Sequence, residues 1–257
     1  MVRKAWRWVW SSAEAHCGGK DPSGLLDLSA WWRHQTASAW RDLTDGVSTG
    51  RFDGGIGYIL IKSWSKGQGP PAQAALEALK SLADCRGIVI DVRPNAGGSE
   101  TLALLFAGCF VAEPVLYAKH VNPDPGEPGG FGDVRERILK PNDSGPSYRG
   151  PVAVLMGQAN MSSCEAFLLM MKQVPNCKLI GQRSYGSSGN PKPTDLGNGV
   201  TVWLPSWKAL RPDGTCFEGQ GIQPDIPVRT GPTRRWRQRD PILTAALKWL
   251  ARQNGTH

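Results

Sequence analysis

Three uninterrupted apolar runs constrain this chain more than anything else in it: IGYILI at 56–61, GIVIDV at 87–92 and PVAVLM at 151–156. Each reads as a buried strand. Between and after them come helical patterns. Residues 71–83 carry Ala75, Leu76, Leu79 and Leu82 on one side, and 99–111 and 163–173 are two further helices. VLYAKHV is a weaker strand and KLIG a short one. Strands of continuous apolar character that alternate with helices predict an α/β fold with a mostly parallel sheet covered on both faces. In such sheets the functional loops leave the carboxyl ends of the strands. RPNAGG and GQANMSS both occupy that position, so two turns rich in small residues are expected to meet at one crevice.

The flanks divide the chain further. Leu25, Leu26, Leu28, Trp31, Trp32, Trp40 and Leu43 recur broadly at helical spacing, which predicts a helical lead-in over 25–45, ended by a glycine-rich break at 50–55. Residues 122–150, rich in Pro, Gly and Asp, read as a surface insertion. SYGSSGNPKP is a loop. VTVWLP alternates apolar and polar residues and is expected to pair with 206–210, with Pro212-Asp213-Gly214 as a turn. TGPTRRWRQRD reads as a linker and ILTAALKWLAR as a terminal helix. The expected organisation is a lead-in over 1–55, a core domain over 56–228, and a basic linker with its helix over 229–257.

Charge excludes little and directs little. The net charge of +8 is concentrated near the ends, in Arg3, Lys4 and Arg7 and in Arg229, Arg234, Arg235, Arg237 and Arg239. No nucleic-acid motif accompanies these residues, so a solvated basic tail is the simpler reading and no nucleic-acid partner is expected. Cys17, Cys85, Cys109, Cys164, Cys177 and Cys216 form no C-x-x-C pair and no regular spacing. Neither a zinc site nor a disulfide framework is expected, and apolar surroundings for most of these thiols favour a reducing compartment. No cofactor is implied. No run of about 18 apolar residues is present, so no membrane span is expected. MVRKAWRWVW lacks the sustained apolar stretch of a signal peptide. The abrupt start fits a truncated gene or a piece of a longer protein equally well.

The chemistry concentrates at two turns. Ser162 follows the strand VAVLM across a short turn and precedes an apolar helix, the strand–turn–helix placement that exposes a nucleophilic hydroxyl beside main-chain N–H groups. Ser162-Ser163-Cys164-Glu165 is also an S-x-x-E capping box, which needs only to start a helix. The paired glycines of Pro94-Asn95-Ala96-Gly97-Gly98 let the backbone approach an anion. A tetrahedral oxyanion needs two donors. The N–H of Ser163 and one from Gly97 or Gly98 are the candidates.

IGYILI, GIVIDVRPNAGG, VAVLMGQANMSSCEAF, LIGQRSYGSSG and GQGIQPDIPV occur in an order that resembles the C-terminal processing (tail-specific) peptidases and their tricorn relatives, over roughly 56–228. The resemblance implies a crotonase-like fold, a spiral of β-β-α units. It implies Ser162 as nucleophile, Glu165 as the acid three residues on, and oxyanion donors from Ser163 and the Gly97-Gly98 turn. One position departs. The processing branch uses a serine–lysine dyad, and Ser187 stands where that lysine would be, while Lys192 is out of register between Pro191 and Pro193. The tricorn-like branch instead uses a histidine oriented in part by a glutamate before the G-x-x-P-D block. Glu218 matches that glutamate, and His34 in the lead-in is the matching histidine, an imidazole suited to a general base. His16, His120 and His257 fit less well. Asp225 is expected to brace its turn or pair with an arginine, and Asp91 and Arg93 to brace the sheet.

Two functions follow. The first is a serine endopeptidase that hydrolyses unfolded or C-terminal protein segments through an acyl-enzyme on Ser162. The second is a catalytically inactive module on the same fold that binds a peptide or an apolar ligand. No PDZ-sized insertion is visible before residue 56. Homo-oligomers are compatible with the fold but have no signature here. Bacterial members of the family are often exported.

Overall fold

The computed structural model describes residues 39–65, 71–229 and 240–253. Its centre is a seven-stranded mixed sheet of β1 (Arg41–Thr44), β2 (Val47–Phe52), β3 (Ile56–Ile61), β4 (Gly87–Asp91), β7 (Val152–Met156), β8 (Cys177–Gly181) and β12 (Ile226–Pro227), side by side in that order. β1–β2 and β2–β3 pair antiparallel, and β3, β4, β7, β8 and β12 run parallel. Every residue of β3, β4 and β7 is buried, as their unbroken apolar sequences require.

The two faces carry separate cores. Ile59, Ile61, Ile88, Ile90, Val152, Val154 and Leu179 point to one side, against α1 (Pro71–Ser81), α2 (Glu100–Ala107) and α3 (Ser163–Lys172). Tyr58, Leu60, Val89, Ala153, Leu155 and Ile180 point to the other, against Ile242, Leu243, Ala246 and Leu250 of α4 (Pro241–Gln253). Burial of each larger side chain here stabilises the fold by about 1.5–3 kcal/mol. A second, antiparallel sheet in the order β11 (Lys208–Leu210), β5 (Val115–Val121), β6 (Arg135–Leu139) lies beside α3, and β9 (Lys192–Asp195) with β10 (Thr201–Leu204) makes an exposed hairpin.

Three expectations need correction. The lead-in is not helical where it is described. Residues 41–52 form a β-hairpin turned at Asp45-Gly46, with Thr44 Oγ1 accepting from the N–H of Gly46 and Val47. Antiparallel pairing with β3 then buries Val47, Ser48 and Thr49. The part over 25–38 and the linker over 230–239 lie outside the described residues. The 122–150 segment is not wholly irregular, since Arg135–Leu139 pairs with β5 and buries Leu139. Finally, Thr201–Leu204 pairs with Lys192–Asp195, not with 206–210. The local Gly197-Asn198-Gly199 turn closes that hairpin through Leu196 N–H to Val200 O, a short-range bond cheaper to form than a distant pairing. Lys208–Leu210 instead pairs with β5, which makes β5 the central strand of its sheet.

A buried ion network joins α4 to the sheet. Arg93 donates to Asp91 at 2.6 Å and to Asp240 at 2.5 Å, all three side chains being almost fully enclosed. Tyr58 donates to Asp91 from the neighbouring strand. The two carboxylates hold the Arg93 guanidinium protonated against the opposing effect of burial. Asp240 also caps α4, its Oδ1 accepting from the N–H of Ile242 and Leu243, with Pro241 in the first helical position. Asp240→Ala is therefore expected to lower unfolding free energy by about 3–5 kcal/mol, because it leaves a buried cation short of a counterion. Asp240→Asn retains a cap acceptor and should lose less. Equal losses in urea titrations of the two variants would contradict this account.

Candidate active site

Parallel β3, β4, β7 and β8 all end on one edge of the sheet, so the segments that follow them converge there. Hydrogen bonds make the meeting explicit. Trp64, after β3, donates its N–H to Gly97 O, and Ser99 returns a bond to Trp64 O. Ser162, after β7, donates its N–H at 2.7 Å to Ser187 O, in the loop after β8.

Ser162 is the residue before α3 and adopts φ 55°, ψ −132°, a conformation rare for any side chain but glycine. Its hydroxyl makes no cap hydrogen bond. Glu165 does not reach back to the N–H of Ser162 either. Its buried carboxylate accepts from Ser184 Oγ at 2.5 Å, Gly186 N at 2.7 Å, Ser188 Oγ at 2.8 Å and Ser187 N at 2.9 Å. The S-x-x-E spacing is therefore not a capping box here. Burial raises the pKa of Glu165, and these four donors work against that rise.

The diglycine turn is pressed against the serine. A methyl group on Gly97 would lie 2.9 Å from Ser162 Cβ and from Met161 O, and 3.2 Å from Ser163 N. One on Gly98 would lie 2.4 Å from the carbonyl carbon of Trp64, and both glycines have positive φ, 112° and 129°. Only residues without Cβ fit. The N–H of Gly97 is committed to Asn95 Oδ1 at 2.8 Å, so Gly97 is corrected from a candidate donor to a spacing residue. Among the described residues, the N–H groups of Gly98 and Ser163 carry no internal bond. The Ser163 hydroxyl is buried and also has no partner there.

Glu218 joins the same cluster. Its Oε1 accepts from Ser188 N at 2.7 Å, while Ser188 Oγ contacts Ser162 O at 3.3 Å. Burial raises the pKa of Glu218, the Ser188 amide opposes that, and the nearby Glu165 charge adds to it. Ser187 is held by its backbone between Glu165 and Ser162. Lys192 is out on the exposed hairpin, opposite Leu204. His34, His16 and His257 lie outside the described residues. The His120 ring packs at a tilt of 45° against Trp207, with ring centroids 4.7 Å apart, and Trp207 Nε1 donates to Ser188 O. Burial lowers the His120 pKa, and Arg135 lowers it further. Asp225 pairs with Lys172, not an arginine, and accepts from Leu179 N. The described cysteines are all free, and no group of three or more potential metal ligands occurs among the described residues.

Sequence reading missed Asn95, Asn160, Ser184 and Ser188, the residues that knit these loops together. Their one available signal was position, since each lies in a turn after a buried strand, where side-chain amides and hydroxyls bond nearby backbone.

A serine in strained backbone at a strand-to-helix turn, beside two unpaired main-chain N–H groups, is the kind of site found in hydrolases that use a nucleophilic hydroxyl. The profile of peptidase family S41 matches residues 55–228, and the chain belongs to that family. It is 25% identical over 176 residues to the carboxy-terminal processing protease CtpB of Bacillus subtilis (strain 168), a match that covers 68% of this chain and 34% of CtpB. To a probable CtpA-like serine protease of Staphylococcus haemolyticus it is 27% identical, over 67% of this chain and 33% of the relative. The chain thus spans about a third of the length of these relatives. Among solved structures, a putative peptidase from Parabacteroides merdae superposes with a TM-score of 0.76 at 26% identity, covering 86% of this chain and 69% of that one. Mature CPAF shares the fold, with a TM-score of 0.70 at 15% identity over 86% of this chain and 57% of its own. No helix among the described residues is long and apolar enough to cross a membrane.

Two outcomes test this geometry. If the Ser162 backbone is strained, Ser162→Gly should be more stable than Ser162→Ala by about 1–3 kcal/mol in chemical denaturation; equal stabilities would contradict the strain. The second concerns pH. With its pKa raised, folded Glu218 keeps its proton to a higher pH than the unfolded chain does. Its contribution to stability is full below the unfolded value and is lost as pH rises through the folded one. Glu218→Gln keeps an acceptor for Ser188 N–H but cannot titrate. Its unfolding free energy should fall less than the parent's as pH rises from the ordinary carboxylate range toward neutrality. Parallel profiles would show that Glu218 is not perturbed.

Proposed function

We propose that this chain is a serine endopeptidase domain acting on unfolded or C-terminal protein segments, with the β-β-α succession arranged as a crotonase-like spiral. The observation that carries the reading is the strained Ser162 packed against the diglycine turn, next to the N–H groups of Ser163 and Gly98, which have no partner among the described residues. In this mechanism Ser162 Oγ attacks the scissile carbonyl carbon while its proton passes to His34. The carbonyl oxygen becomes an oxyanion held by Ser163 N–H and Gly98 N–H. Collapse returns the proton to the leaving amine and leaves an acyl-enzyme on Ser162, which water then hydrolyses by the same route. Glu218 orients the imidazole and balances its charge. Its carboxylate already borders the Ser162 loop through Ser188, which supports that role.

A second reading has one observation in its favour. Ser187 occupies the dyad-lysine position and has no basic group, and Lys192 is out on the hairpin. On that reading the same crevice binds a peptide or an apolar ligand without cleaving it.

The parent protein should label with a fluorophosphonate probe and cleave an unstructured protein such as casein. Ser162→Ala should lose both, with cleavage down by at least about 10³-fold. Equal cleavage by the variant rules out Ser162 as nucleophile. A folded parent that neither labels nor cleaves, yet binds peptide saturably, supports the second reading.

A further inference from the structure

The Asn160 side chain makes four hydrogen bonds close to Ser162, as many as the Glu165 carboxylate does. It is fully enclosed. Its Nδ2 lies 2.5 Å from Val92 O, 3.1 Å from Asn95 O and 3.4 Å from Arg93 O, three carbonyls of the turn that ends in Gly97-Gly98. Its Oδ1 accepts from Gly157 N at 2.8 Å, at the start of its own turn. The orientation of the amide is forced, because the reversed form would set an oxygen against three carbonyl oxygens and an NH₂ against an N–H. The Asn160 carbonyl accepts from Tyr185 N at 2.8 Å, at the start of the 184–188 loop. One residue, two positions before Ser162, thus bonds to all three segments that the proposed mechanism needs in register.

From this geometry we infer that Asn160 is a positioning residue that sets the spacing of Ser162 against the diglycine turn and the 184–188 loop. The inference rests on the serine-peptidase reading. Asn95 extends the device: its Oδ1 takes the Gly97 N–H and its Nδ2 reaches Ile61 O, so the Gly97 amide is turned inward. The next amide, that of Gly98, carries no bond to the described residues. Asparagine suits position 160 because it combines a two-hydrogen donor and an acceptor on a short planar group. Serine supplies one donor and one acceptor with less reach, and alanine supplies neither.

The test compares the parent with Asn160→Ser and Asn160→Ala. Rate constants and labelled fractions are measured with a fluorophosphonate probe, and kcat and KM with an unstructured peptide. A misplaced oxyanion pocket should lower the inactivation rate constant and kcat by about 10²-fold in Asn160→Ala, with KM changed less than about threefold. Asn160→Ser should fall between. A purely structural role would lower the labelled fraction but leave the rate constant of the labelled molecules unchanged, and that outcome overturns the inference. So does a KM effect alone, or a chain that no longer folds with serine at 160, since the residue would then serve stability only. Amide hydrogen exchange separates this inference from the peptidase reading. Should the parent prove unreactive, the peptidase reading fails, and exchange decides the remainder. Faster exchange at both 94–98 and 184–188 in Asn160→Ser supports the coupling of the three segments. Faster exchange confined to 157–162 overturns it.

Discussion

The buried carboxylate of Glu165 holds the proposed site together. It enters at the first turn of α3, where burial disfavours its charge, and it is stabilised only because two hydroxyls and two main-chain N–H groups of the 184–188 loop converge on it. The consequence is geometric. Once Ser187 N–H is fixed to Glu165, the Ser187 carbonyl is presented to the N–H of Ser162. That bond helps hold Ser162 in a backbone conformation it would otherwise leave. Strain at the serine, order in the loop and the enclosure of one acid are therefore parts of a single arrangement.

The sheet makes the arrangement possible. Because β3, β4, β7 and β8 run parallel, the segments that follow them share one edge, and their buried polar groups have to be satisfied by one another. Asn95, Asn160 and Glu165 do this with side chains, and Trp64, Ser99 and Ser187 with backbone. On the opposite face, Arg93 carries the connection further. It follows β4 and pairs with Asp240 at the cap of α4, so the C-terminal helix is tied to the strand from which the diglycine turn departs.

The parts of the molecule legible in the sequence were those with strong periodic or steric signals. Runs such as IGYILI and GIVIDV could only be enclosed strands, and the Gly97-Gly98 pair marked a tight turn, where both residues have positive φ. What failed was decided by partners far away or by turn chemistry. Arg41–Phe52 is strand because an edge of the parallel sheet was open to it, while Trp40 and Leu43 on their own fit helical spacing. The hairpin after Lys192 was set by its Gly-Asn-Gly turn, a signal present but unread. The Asp240-Pro241 cap was a readable helix start that the linker assignment passed over. At the site, Ser162 stood out by its placement, whereas the capping-box pattern was misleading: the same spacing serves a carboxylate that looks outward to another loop. Asn160 was passed over because its place in a turn after a buried strand does not reveal its bonds, which form only where its own turn meets two others.

The most direct test of this account is a crystal structure of the protein treated with a peptidyl boronic acid. The account predicts a covalent bond from boron to Ser162 Oγ, with one boronate oxygen about 3 Å from both Ser163 N and Gly98 N. An unmodified Ser162, or an adduct whose oxygens face away from those two amides, would contradict it.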